Sequence, residues 1–152
     1  MELKQQYDNS RKKHRLPDFE ELNKDFDIDS IEESGFPLCA IRNKMGEKID
    51  SFVSLLEGLL NPNTDLSSLY ELMFFEDEEK EKIFELYKRI MVLSRTALEL
   101  SLENDEKKDA EFINNTFIGW SRIKKELGQI IEKLKNSWNK KEDERFKLEY
   151  LG

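Results

Sequence analysis

The sequence predicts an all-α fold: a single-domain bundle of three long helices with two short helices packed against it. Three observations carry that expectation. Apolar residues recur at steps of three and four in several separate runs, the period of a helix rather than of a strand. Only six glycines and three prolines interrupt 152 residues, which suits helices joined by short connections. No run shows the strict apolar–polar alternation of a half-buried strand.

The central element is expected over residues 79–103. Ile83, Phe84, Leu86, Tyr87, Ile90, Met91, Val92, Leu93, Ala97, Leu98, Leu100 and Leu102 make it apolar most of the way round. Its charges, Glu81, Glu85, Lys88, Arg95 and Glu99, form one narrow edge at helical spacing. A helix with so little polar face is expected to be covered by neighbours on nearly every side. Glu76, Asp77, Glu78 and Glu79 precede or open it and complement the positive N-terminal dipole.

The first long helix is expected over 37–60. Pro37 suits a first helical position, where its missing N–H costs nothing. Leu38, Ile41, Met45, Ile49, Phe52, Leu56 and Leu59 step down one side, and Asn61-Pro62 stops the run. The last long helix is expected over 105–140, with Ile113, Phe117, Trp120, Ile123, Leu127, Ile130, Leu134 and Trp138 as its seam. Asn104 or Asp105 can cap it, acids lie at its start and lysines toward its end, as the dipole favours. Gly119 offers a place for another backbone to approach.

Two short helices complete the bundle. One runs over about 18–26, with Asp18 and Glu21 spaced as a capping box and Phe19, Leu22 and Phe26 on one face. The other runs over about 65–75, capped by Thr64 or Asp65, with Leu66, Leu69, Tyr70 and Met73 inward. Residues 17–141 thus form the domain. Residues 1–16 read as a flexible basic tail, and 142–152 as a C-terminal tail.

Composition narrows the class of protein. Charged and hydrophobic residues each make up 38%, and the apolar share falls in periodic runs that disordered acidic chains lack. The net charge of −8 argues against wholesale wrapping of nucleic acid. Cys39 is the only cysteine, so no intrachain disulfide forms and a reducing, cytoplasmic setting is expected. No apolar run has transmembrane length, and the first fifteen residues lack the apolar core of a signal peptide, so no membrane partner is expected.

Catalytic chemistry finds no foothold. There is no P-loop, GxGxxG, GxSxG or HExxH motif, and no Glu-x-x-His pair for a carboxylate-bridged metal site. His14 reads as a solvated residue of the basic tail, and Cys39 as a small core residue. No catalytic residue, metal or cofactor is therefore expected, and the chain reads as a non-catalytic interaction module for another protein or a macromolecular complex.

Two surfaces are candidates for binding. The tails offer Tyr7, Arg11, Lys12, Lys13 and Arg15 at one end and Phe146, Leu148, Tyr150 and Leu151 at the other. Such segments order on a partner; the plainer alternative for the C-terminal residues is that they fold back onto the bundle. The second surface is the last helix. Residues 112–141 hold seven bases and two acids, a local +5, and Arg122, Lys124, Lys125, Lys133 and Lys135 could track a nucleic-acid backbone. The alternative for these lysines, favoured because Trp120 and Trp138 lie on the apolar seam, is that they offset the dipole and keep a long helix hydrated.

Overall fold

Among the described residues six helices follow one another: α1 (Leu3–His14), α2 (Phe19–Phe26), α3 (Pro37–Leu60), α4 (Leu66–Leu72), α5 (Asp77–Leu100) and α6 (Glu106–Ser137), with a 3-10 turn at Ile28–Ser30. They are seen in a computed structural model that describes residues 2–32, 34–63 and 65–140. No strand occurs among these residues, and the all-α expectation holds. Thr64 and the C-terminal candidates Phe146, Leu148, Tyr150 and Leu151 lie outside the described residues.

The helix the others are assembled on is α3, not α5. Pro37 opens it, and Leu38, Ile41, Met45, Ile49, Leu56 and Leu59 are almost wholly buried along it. It packs against α1, α2, α4, α5 and α6, whereas the extensive contacts of α5 are with α3 and α6. α3 meets α5 at Gly46, where a Cβ would sit 3.5 Å from that of Ala97, an ordinary contact distance. At Gly119, by contrast, a Cβ would meet nothing within 4 Å, so that glycine serves no close approach.

The ends of the long helices follow the capping rules. Glu76 and Glu79 form the reciprocal capping box of α5, the Glu76 N–H donating to Glu79 Oε1 at 3.1 Å. The Asp105 carboxylate accepts from the Lys108 N–H at 3.2 Å and caps α6. The box expected at Asp18 does not form. Its side chain makes no cap hydrogen bond, and its carboxylate lies 3.6 Å from Arg11 of α1 instead.

That contact belongs to the largest departure from expectation. The flexible tail expected over 1–16 gives way to a helix, α1, over Leu3–His14. Leu3 and Tyr7, four apart and so on one face, are both buried, and the Tyr7 ring meets Phe19 edge-on at 5.5 Å. The Tyr7 hydroxyl donates to the Pro17 carbonyl at 2.6 Å, and burial pushes its pKa well above the ordinary tyrosine range. Leu16 is buried as well, after a left-handed Arg15 (φ 53°) closes the helix. Four basic residues in the last turn, Arg11 to His14, sit where the dipole is negative.

Long-range contacts fix how the helices meet. Trp120 of α6 packs on Phe26 of α2 (4.9 Å) and Phe52 of α3 (6.1 Å). Tyr70 of α4 donates to the Ser137 carbonyl at the end of α6 (3.0 Å). One ion pair is buried: Arg42 of α3 donates to Asp109 of α6 at 2.8 Å, with both residues almost fully enclosed. Burial raises the Asp109 carboxyl above its ordinary range, outweighing the pull of Arg42. Such a pair sets register more than it adds stability, and removing one partner strands the other charge.

Candidate functional site

Two faces of α5 have opposite fates. Ile83, Leu86 and Ile90 point inward and are enclosed. On the far side Phe84 is 47% exposed, Val92 65% and Leu98 60%, and Leu102 just past the end is 81% exposed. The expectation that α5 would be covered on nearly every side therefore fails. Among the described residues only α3 and α6 pack extensively against it, and two neighbours cannot enclose a full helical circumference.

Two of these exposed residues, Phe84 and Leu98, bracket the half-buried Met91. Phe84, Met91 and Leu98 are seven apart, two helical turns, so they form a stripe about 21 Å long at 1.5 Å per residue. Phe84 stacks on Tyr87 at 6.3 Å, and Lys88 lies 5.5 Å over its ring. Near the middle, Met91, Val92, Arg95, Thr96 and Glu99 line a shallow depression of ≈330 Å³.

Acids border this stripe on both sides. On the α3 side, Glu57 accepts from the Tyr87 hydroxyl and Asp50 accepts from the Ser94 hydroxyl, each at 2.6 Å. The Glu57 carboxylate raises the Tyr87 pKa by accepting its proton's hydrogen bond. On the other side stand Glu81, Glu85 and Glu99, all exposed. The two bases of the face are engaged locally: Lys88 lies 3.3 Å from Glu85, and Arg95 donates to the Ser94 hydroxyl at 3.3 Å.

The residues expected to bind a partner through the N-terminal segment are placed differently. Tyr7 is buried and has no face to offer. Arg11 donates from Nε to the Leu16 carbonyl (3.4 Å), and Lys13 lies 3.7 Å from Glu106, so both help seat α1. Lys12 and Arg15 are exposed.

The five basic residues of α6 do not form one stripe. At about 100° per residue, Arg122 and Lys133 fall on one side, Lys124 and Lys135 on another, and Lys125 near the outside. Arg122 and Lys133 line a groove between α5 and α6 of ≈1250 Å³ whose wall also carries Glu78, Glu79, Glu81 and Glu126. Lys133 grips Glu79 at 2.6 and 2.8 Å, holding that carboxyl below its ordinary range, and lies 4.9 Å over the Phe75 ring. Lys124 pairs with Asp25 of α2 at 2.8 Å.

His14 and Cys39 come to the same end of the bundle. His14 is nearly buried, not solvated as expected, with Nε2 3.5 Å from Glu106. Cys39, read from sequence as a core residue, is half-buried, and its sulfur accepts from Arg42 at 3.3 Å. It lines a small cavity with Phe36, Asn104, Glu106 and Asp109. Among the described residues no three His, Cys, Asp or Glu side chains converge as metal ligands.

Sequence reasoning named every residue of the α5 stripe but assigned all of them to the core. The available signal was a mismatch of numbers: a helix apolar most of the way round, and only two other long helices to surround it. Compared with protein-family models, with curated proteins and with solved structures, the chain matches none. No helix among the described residues is long and apolar enough to cross a membrane.

Proposed function

We propose that this chain is a non-catalytic interaction module that receives a helix of a partner protein on the outer face of α5. The observation that carries the reading is the row of Phe84 and Leu98 with the half-buried Met91 between them, and the exposed Val92 further round the helix, apolar surface left open on a helix whose other face is core. Scattered surface hydrophobes need no explanation, but an ordered row at heptad spacing is the pattern by which helices recognise helices. A docked helix would remove that row from water, at about 25 cal/mol for each Å² of apolar surface.

The experiment compares partner recovery from native extract by the full chain and by a Phe84→Asp, Leu98→Asp variant, each with and without RNase. Both positions are exposed, so the variant keeps its helical circular dichroism. The expected result is a protein retained by the parent and lost by the variant, indifferent to RNase. Equal recovery by the variant would remove the α5 face as the binding surface. Recovery abolished by RNase would transfer the function to nucleic acid and to the lysines of α6.

A further inference from the structure

From the charges that border the α5 stripe we infer that its occupant is a basic amphipathic helix, one with an apolar row flanked by lysine or arginine. The inference rests on the docking face proposed above and names the class of partner. Asp50 and Glu57 stand on one side of the row and Glu81, Glu85 and Glu99 on the other, against Lys88 and Arg95. Five acids less two bases leave the face at −3 in a chain that is itself −8.

Charge selects among the possible occupants. A second copy related by a two-fold axis would set this face against itself, −3 against −3, and like charges across an interface cost several kcal/mol. The chain's own residues 142–152 hold four acids and two bases, net −2, and carry the wrong sign too. Nucleic acid and anionic lipid are repelled for the same reason. A helix with basic flanks meets attraction on both borders, and its apolar residues at i, i+3, i+4 and i+7 match a row that is itself spaced by heptads. The two bases do not compete with it. Lys88 is held by Glu85 and the Phe84 ring, and Arg95 by Ser94.

The test uses the full chain and two designed helical peptides of 21 residues or so, long enough to span the ~21 Å row. They share one leucine face and differ only in flanks of lysine or of glutamate. Binding is read by fluorescence anisotropy at low salt. The lysine peptide should bind more tightly than the glutamate peptide by on the order of tenfold or more, and salt should narrow the gap. Reversing Glu81, Glu85 and Glu99 to lysine should erase or invert that preference without changing helical content. Leu98→Asp should abolish binding of the lysine peptide.

Equal binding of both peptides, lost in Leu98→Asp, overturns the basic class while the docking face stands. Binding of the lysine peptide that survives Leu98→Asp removes the docking face itself. No binding of either peptide overturns the inference. Two accompanying results would then name the occupant: a dimer in sedimentation that Leu98→Asp disperses means a second copy, and binding regained on deleting residues 142–152 means the chain's own end.

Discussion

Helices α1 and α5 invert what their compositions suggest. α1, Leu3–His14, has two strongly apolar residues, Leu3 and Tyr7, and both are buried. α5, Asp77–Leu100, is far richer in apolar residues than α1, yet Phe84, Val92 and Leu98 on it stay exposed. The difference teaches that burial depends on the neighbours available as much as on the residue. Two side chains four apart need one receptive surface, and Phe19, Leu16 and the Pro17 carbonyl supply it for α1. α5 would need helices on three or four sides, and the fold packs two extensively against it.

The largest effect expected from this comparison is on α1. Tyr7→Ala should destabilise the protein by about 3–5 kcal/mol, the cost of removing a buried aromatic, measured by urea unfolding. A loss under about 1 kcal/mol would show that α1 is a dispensable addition and restore the tail reading. On the inward side of α5, Ile90→Ala should cost about 2–5 kcal/mol, since Ile90 is fully enclosed. If Ile90 proved cheaper to truncate than Val92, the two faces of α5 would have to be exchanged.

A smaller effect is expected where α5 begins. Glu79→Ala removes one half of the capping box and the contact with Lys133, for about 1 kcal/mol. The hydrogen bonds to Lys133 and to the Glu76 N–H hold the Glu79 carboxyl below the ordinary glutamate value of 4.5. A depressed folded-state pKa means the contribution is present above pH 4.5 and is lost as pH falls through the lowered value. The difference between parent and variant should therefore shrink on acidification below that point and stay flat toward neutral pH. A difference that grew with acid would contradict the hydrogen bonding seen at this end.

The smallest effect sharpens the comparison most. Leu98→Ala and Val92→Ala, on the exposed face, should each stay within about 0.5 kcal/mol of the parent in the isolated chain. With a saturating helical ligand, the same substitutions should lower the gain in melting temperature that the ligand gives. A large loss in the isolated chain would mean that the face is already covered in solution.

Much of the architecture was legible in the sequence because it rests on local rules. Pro37 and the Asn61-Pro62 pair bound α3 where the structure ends it, since proline's fixed ring acts on its own neighbourhood. Asp105 caps α6, and the seam expected from Ile113 to Trp138 turns inward as far as Leu134, while Trp138 at its end is exposed. The candidate site was only half legible. Phe84, Val92 and Leu98 were all identified as apolar, but their exposure depends on what lies across from them, and no periodicity reports that.

The sequence by itself determined the helices α2 to α6 and their apolar residues, because dihedral preference, capping and the 3.6-residue period act within a few residues. Only the tertiary structure decided which apolar sides find a neighbour. It set α3 rather than α5 at the centre, joined Arg42 to Asp109 across 67 positions, and folded Leu3–His14 onto Phe19. Each of those is a meeting of residues distant in the chain, settled by shape and charge at the point of contact. The open row on α5 follows from the same cause: α3 and α6 seat against one side of it, and Phe84, Val92 and Leu98 stay exposed on the other.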